Sequence, residues 1–168
     1  MTLMVNREQS VVISLGELHV TKEPETLLVC YGIGSCIAFA AYDPATKVAG
    51  MAHFVLPDST SGSRPKTLER FVDAGIPVML DQMQAAGAMR SRTIFKIAGG
   101  AHMAVAKGFE SRLNIGERNI EAARETMKSL GLRLRGEDVG GTHGRTVRLF
   151  AGTGALTIST VGGSSYEL

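Results

Sequence analysis

The chain has 168 residues, of which 44% are apolar and 20% charged, and its formal net charge is +2. This composition excludes wholesale disorder, and the length predicts one domain over residues 1–168. The small net charge gives no support for nucleic-acid binding. Two cysteines and no visible signal peptide predict a cytoplasmic protein with free thiols. The apolar run 36–42 is far too short for membrane insertion.

The first part of the chain predicts short strands. Val11–Val20 alternates roughly and is typical of one or two strands, and Thr26–Tyr31 is a β-branched and aliphatic run. Two more strand-like runs, Cys36–Tyr42 and Val48–Val55, flank the type I turn sequence Asp43–Thr46. These two runs should therefore form an antiparallel hairpin.

A mobile loop and the first helix are predicted next. Pro57–Lys66 is rich in Ser, Gly and Pro, which is typical of a mobile loop. A helix over Leu68–Ala86 follows, with a late start or a kink because Gly75 and Pro77 weaken its first half. Thr93–Ala98 then predicts a strand.

The last third predicts a second helix and more strands. Asn114 or Gly116 precedes the helix, and Gly131 lies just past its end. The further predicted strands are Leu132–Leu134, Thr146–Ala151 and Ala155–Thr160. Two main helices and about eight strands predict an α+β domain with mainly antiparallel sheet.

The hairpin brings together two residues that could carry chemistry. If the turn is centred between Pro44 and Ala45, Cys36 lies directly opposite His53 on one side of the sheet. Opposed Cβ atoms are about 4.5–5.5 Å apart, so the thiol and the imidazole could form a hydrogen bond. The prediction depends on the turn length, because a different turn shifts the register.

A cysteine–histidine pair is suited to acyl transfer. The thiolate is the nucleophile, and a neighbouring imidazole can take the thiol proton and return it to a leaving amine. The glycine-rich segment that includes Gly34 and Ser35 could point backbone N–H groups at one spot as an oxyanion hole. No cofactor is expected for this chemistry.

On spacing alone, Cys36 and His53 could also be structural residues without a catalytic role. A buried strand cysteine is often only a small apolar residue, and a neighbouring histidine is often a structural core residue. A zinc site formed by Cys36, His53, His102 and His143 lacks the usual close ligand spacing, so no metal is predicted.

Several blocks, in order, resemble the CheD family of chemoreceptor glutamine deamidases. The blocks are Gly32-Ile33-Gly34-Ser35-Cys36, Asp43-Pro44, Gly50–Pro57, Lys96–Ala101, Asn114–Asn119, Glu137–Gly141 and Gly144-Arg145. They cover most of the chain, which makes the resemblance far more specific than any one block.

The resemblance implies a function, a fold and two site residues. Such proteins convert selected glutamines of methyl-accepting chemotaxis receptors to glutamate, and many bind a CheC-type phosphatase that restrains them. The implied fold is a layered α/β/β sandwich, as in the catalytic domain of cytotoxic necrotizing factors. The family nucleophile and base correspond to Cys36 and His53. The family's third catalytic residue, a Thr, corresponds to Cys30, whose thiol is a poorer hydrogen-bond partner.

Other functions also remain open at this point. The same acyl-enzyme chemistry could cleave a glutamyl methyl ester. Because Cys30 replaces the family Thr, the chain could instead be a regulatory module that docks on a CheC-type phosphatase or a receptor with little turnover. A thiol protease is a third possibility, although it would need a long peptide cleft.

Overall fold

The structure, a computed structural model, describes residues 9–60, 67–103 and 114–168. Two α-helices lie in these ranges, α1 (Val72–Ala85) and α2 (Ile115–Ser129). The described residues also form ten strands: β1 (Gln9–Val12), β2 (Leu18–Thr21), β3 (Thr26–Ile33), β4 (Ile37–Asp43), β5 (Val48–Phe54), β6 (Ile94–Gly99), β7 (Leu134–Val139), β8 (Arg145–Phe150), β9 (Leu156–Thr160) and β10 (Ser165–Glu167).

The strands form two five-stranded sheets. The first sheet has the order β1-β3-β8-β9-β10 and the second has the order β2-β5-β4-β6-β7. The β1–β3 and β6–β7 pairs are parallel, and the other pairs are antiparallel. The predicted α+β class with mainly antiparallel sheet is therefore confirmed.

Two apolar layers hold these elements together. One layer lies between the helices and the second sheet, where Phe39, Phe54 and Phe95 pack with Ile76 and Met79. The other layer lies between the two sheets. Since α1 contacts β2 and β5 while α2 contacts β4 and β7, the order of layers is helix, sheet, sheet. The α/β/β arrangement follows directly.

The central strands β4 and β5 are buried on both faces. Ala38, Ala40 and Met51 face the first sheet, whereas Phe39 and Ala52 face the helices. Alternating side chains of a strand point to opposite faces, so each strand contributes to both layers. The ends of these two strands also carry the candidate site residues.

The β4–β5 hairpin is confirmed, but its predicted register is wrong. His53 pairs with Ala38, not with Cys36, and Asp43 pairs with Val48. The loop therefore has four residues and includes Lys47 in the left-handed region at φ 55°. Asp43 stays in the ladder because its buried carboxylate accepts hydrogen bonds from Arg92 Nε at 2.8 Å and from the Met89 N–H at 3.0 Å. Those partners lie far away in sequence, so the turn sequence alone does not reveal them.

The first helix begins late, as predicted. A single 3₁₀ turn over Leu68–Arg70 precedes it, and Phe71 is extended before α1 starts at Val72. Pro77 lies inside α1 without ending the helix. The predicted mobile loop Pro57–Lys66 falls partly outside the described residues, at 61–66.

The second helix has the predicted caps. The Asn114 side chain accepts a hydrogen bond from the Glu117 N–H, and Gly131 adopts φ 68° just past the end. The strand predicted at Leu132–Leu134 is misplaced, since β7 begins only at Leu134. The reason is that the Leu132 N–H still closes the helix by donating to the Met127 carbonyl.

Two smaller observations complete the fold. The strand β10 was not predicted, because its three residues are all exposed and show no alternation of apolar and polar side chains. Within the described ranges, neither helix has the length and apolar character needed to cross a membrane.

Candidate active site

Cys36 is the last residue of a tight bend, residues 34–36, that joins β3 to β4, and hydrogen bonds fix the carbonyl groups of this bend. The Ala101 N–H donates to the Gly34 carbonyl at 2.8 Å, and the Gly100 N–H donates to the Cys36 carbonyl at 2.8 Å. Asn119 Nδ2 donates to the Ser35 carbonyl at 2.8 Å. All three carbonyl groups of the bend are therefore fixed.

The N–H groups of the same bend are candidate donors to a bound substrate. In the described part of the chain, the N–H groups of Gly34, Ser35 and Cys36 donate to no other residue. Gly34 and Ser35 are half-buried. This arrangement is compatible with the predicted oxyanion hole, which needs preorganised donors beside the nucleophile.

Gly99 is the neighbour that permits the close packing behind the bend. It adopts φ 121°, and a Cβ atom at this position would lie 2.2 Å from the Cys36 carbonyl oxygen. Only glycine adopts this conformation readily and leaves that space. The Gly99–Ala101 segment is thus a rigid support for the nucleophile bend.

His53 lies near the end of β5, and the segment between β1 and β2 holds it in place. Its N–H donates to the Glu17 carbonyl and its carbonyl accepts from the Gly16 N–H, both at 2.9 Å. The ring Nδ1 lies 3.1 Å from the Ile13 carbonyl oxygen, and the side chain is only 3% exposed. Because a carbonyl oxygen can only accept a hydrogen bond, Nδ1 carries the proton, and the Nδ1–H donates a hydrogen bond to the Ile13 carbonyl.

That tautomer leaves Nε2 as a base. The Nε2 atom is buried, and none of the described residues forms a hydrogen bond with it. Burial lowers the pKa of His53 below its ordinary value of 6.5, against the hydrogen bond to Ile13 and the charge of Glu17, which both raise it. The imidazole is therefore neutral at physiological pH and has a free lone pair.

The observed register still places Cys36 near His53, although not directly opposite. Cys36 lies two residues before Ala38, the partner of His53. A shift by two residues keeps a side chain on the same face, because side chains alternate with a period of two. Cys36 and Ala38 both belong to the layer between the sheets. Cys36 and His53 therefore lie diagonally across the hairpin on one face.

The thiol and the imidazole are both neutral in this structure. Burial raises the pKa of the Cys36 thiol above its ordinary value of 9.0, while the charge of Arg70 and the N–H of Cys36 itself lower it. No hydrogen bond joins Cys36 to Nε2 of His53. Catalytic hydrogen bonds are often long in ligand-free enzymes and tighten when substrate binds.

Cys30 lies on β3, on the inner face of the first sheet. Burial, with a smaller effect from the Cys36 charge, raises the pKa of its thiol to about 12. His53 Nδ1 is bonded to Ile13 instead, and within the described ranges Cys30 forms no hydrogen bond with His53. Both cysteines are free thiols.

The zinc site considered from the sequence would also need His102 and His143. His102 and His143 are exposed, and the His102 N–H donates to the Gly141 carbonyl. Across the described ranges, no group of three or more His, Cys, Asp or Glu side chains is placed to hold a metal ion.

Comparison with known proteins identifies the family. The family model described as CheD chemotactic sensory transduction matches residues 55–160. A probable chemoreceptor glutamine deamidase CheD of Symbiobacterium thermophilum is 45% identical over 93% of this chain and 95% of its own length. The chain belongs to the CheD family.

Two further relatives support the assignment. The chemoreceptor glutamine deamidase CheD of Thermotoga maritima is 40% identical over 90% of this chain and 92% of its own. A probable chemoreceptor glutamine deamidase CheD of Caldanaerobacter subterraneus is 39% identical over 89% and 92%. A solved Bacillus licheniformis hypothetical protein, YfiH, superposes with a TM-score of only 0.43 at 12% identity, over 80% of this chain and 60% of that one.

Three residues at the site of this CheD family member were not predicted from the sequence. The Ile13 carbonyl and the charge of Arg70 act across long sequence separations, and neither residue type signals such a role. Asn119 had a readable signal. It lies four residues before Ala123 on the buried face of α2, and a polar residue on an apolar helix face usually has a specific partner.

Proposed function

We propose that the protein is a chemoreceptor glutamine deamidase, which hydrolyses the side-chain amide of selected glutamines in methyl-accepting chemotaxis receptors. The observation that carries the proposal is the free lone pair of His53 Nε2, on a residue that shares one face of the β4–β5 hairpin with Cys36. The names of the relatives agree with it, since they are called chemoreceptor glutamine deamidases.

The reaction begins at the substrate amide carbon. His53 Nε2 takes the Cys36 thiol proton as the sulfur attacks, and the Nδ1–H stays bonded to the Ile13 carbonyl. The N–H groups around Gly34–Cys36 hold the oxyanion of the tetrahedral intermediate. His53 then protonates the leaving amine, so ammonia departs and a Cys36 thioester of the substrate remains.

A water molecule completes the cycle. His53, neutral again, removes a proton from the water, which attacks the thioester carbon. The second tetrahedral intermediate collapses, the thiol regains its proton from His53 and the product is glutamate. The same acyl-enzyme would form from a glutamyl methyl ester, with methanol as the leaving group.

The Ile13 carbonyl fills the third catalytic position in this proposal. It fixes the tautomer and the orientation of the imidazole, a task for which the buried Cys30 thiol is poorly suited. The change from the family Thr to Cys30 therefore need not reduce activity.

Partners and location follow from the same proposal. The receptor region that carries the glutamines is the protein substrate, and a CheC-type phosphatase is the second partner, which restrains the deamidase. The cytoplasm is the compartment, in agreement with two free cysteines.

The test is a deamidation assay with a receptor cytoplasmic fragment. Mass spectrometry detects conversion of Gln to Glu, and released ammonia gives the rate. The native protein should convert specific glutamines, while Cys36→Ala should reduce conversion to the background of the fragment alone. Receptor binding without conversion by the native protein would contradict the proposal and favour a regulatory module that docks on the receptor or the phosphatase.

The second cysteine provides a matched control. Because Ile13 holds His53, Cys30→Ala should keep kcat within about twofold of the native value. A loss of tenfold or more with the fold intact would instead identify Cys30 as the third catalytic residue.

A further inference from the structure

Asn119 joins the two segments that carry the nucleophile and the base. It is completely buried on α2, and its Nδ2 donates to the Ser35 carbonyl at 2.8 Å and to the Val55 carbonyl at 3.0 Å. Ser35 precedes the nucleophile Cys36, and Val55 lies two residues after the base His53. Both acceptors are carbonyl groups, which establishes that the amide nitrogen is the atom facing them.

The bond to Ser35 has a directional consequence for Cys36. The Ser35 carbonyl and the Cys36 N–H belong to one planar trans peptide, so they point in opposite directions. Because Asn119 holds the carbonyl towards α2, the Cys36 N–H points away from the helix. In the described ranges this N–H has no acceptor in another residue. This N–H also lowers the pKa of the Cys36 thiol.

The other end of the Asn119 amide shows that core packing alone does not explain this residue. Its Oδ1 is buried and forms no hydrogen bond in the described part of the chain. An unpaired buried acceptor is unfavourable, and an apolar side chain of similar size would avoid it. What an apolar side chain could not supply is the pair of N–H donors.

We infer that Asn119 is a positioning residue that aims the Cys36 N–H at the oxyanion of the tetrahedral intermediate. The inference rests on the proposed function, since it names a determinant of the same reaction. Asn119 does not touch the substrate; it acts through the Ser35–Cys36 peptide. Its second bond, to Val55, keeps the strand that carries His53 at a fixed distance from this peptide.

The experiment separates oxyanion stabilisation from thiol reactivity. Alkylation of Cys36 by iodoacetamide needs the thiolate but forms no oxyanion. Deamidation needs the sulfur nucleophile and also passes through an oxyanion that must be stabilised. Asn119→Leu keeps the approximate size of the side chain without its donors, and Asn119→Ser shortens the side chain. Asn114→Ala is the matched control, because it removes the N-cap of the same helix and does not touch Ser35 or Val55.

We expect kcat for deamidation to fall about 10- to 100-fold in both Asn119 variants, somewhat less than for outright removal of an oxyanion donor. KM and the alkylation rate constant of the Cys36 thiolate should stay within about twofold of the native values. The pH midpoint of alkylation should rise, because the N–H no longer supports the thiolate. Asn114→Ala should lower the melting temperature and leave kcat within about twofold.

Two results would overturn the inference about Asn119 by itself. One is an unchanged kcat in a folded Asn119 variant. The other is a thiolate alkylation rate that falls by the same factor as kcat, which would show that the whole site has collapsed. Thermal melting screens the variants for folding, and Asn119→Thr replaces any variant that does not fold. A native protein that alkylates normally but does not deamidate any receptor glutamine would refute the proposed function itself, and the inference with it.

Discussion

The buried, neutral His53 should make the stability of this protein depend on pH. Its pKa is lowered in the folded state, mainly by burial, whereas the unfolded chain has the ordinary value of 6.5. Below pH 6.5 the unfolded state therefore binds more protons than the folded state. Stability due to this group must fall as the pH decreases through 6.5, until the pH reaches the folded-state pKa.

The size of the effect follows from proton linkage. If the folded imidazole stays neutral, lowering the pH from 7.5 to 5.5 costs up to about 1.3 kcal/mol, since one proton contributes at most about 1.4 kcal/mol per pH unit. With a urea m-value of about 1–3 kcal/mol/M, the unfolding midpoint should decrease by roughly 0.4–1.3 M. The assay is urea unfolding at several pH values between 5.5 and 7.5.

The variant His53→Gln isolates this contribution from other titrating groups. It removes the ring and keeps an amide that can donate to the Ile13 carbonyl. The difference in unfolding free energy between the native protein and the variant should shrink as the pH falls. If the two proteins show the same pH dependence, the imidazole binds its proton at the same pH in the folded and unfolded states. The lowering of the His53 pKa by burial would then be refuted.

Three further predictions concern the nucleophile, its support and the loop end of the hairpin. Because burial raises the Cys36 pKa, its iodoacetamide alkylation rate should keep rising above pH 9 without a neutral plateau, and a plateau near pH 7 would contradict a neutral resting thiol. Gly99→Ala should destabilise the fold by about 2–3 kcal/mol and lower deamidation at least about tenfold, because its Cβ would displace the Cys36 carbonyl. Gly131 also has a positive φ, but the space around it is open, so Gly131→Ala should destabilise the fold by about 1 kcal/mol and keep its activity. Equal activity losses in the two variants would rule out the clash as the cause. Asp43→Ala should cost about 1–3 kcal/mol in urea unfolding because the Met89 N–H and the partly exposed Arg92 guanidinium lose their buried acceptor, and a loss below about 0.5 kcal/mol would contradict this.

The sequence alone was sufficient for the parts of this protein that depend on local patterns. The β4–β5 hairpin follows from alternating apolar residues around a turn, and the caps Asn114 and Gly131 follow from residue type and position. The reactive residue types, a cysteine and a histidine on one face of that hairpin, can also be identified this way. A two-residue error in register preserved the face, and for this reason Cys36 and His53 still share one face of the hairpin although they are not direct partners.

The tertiary structure decided whatever depends on partners distant in the chain. Arg92 and Met89 keep Asp43 in the ladder, and this contact sets the length of the loop and the register of the hairpin. The Ile13 carbonyl selects the tautomer of His53 from 40 residues away. Asn119, 84 residues from Ser35, orients the peptide that carries the nucleophile. Backbone carbonyl groups are the same in every residue, so no sequence pattern marks the ones that a folded site uses.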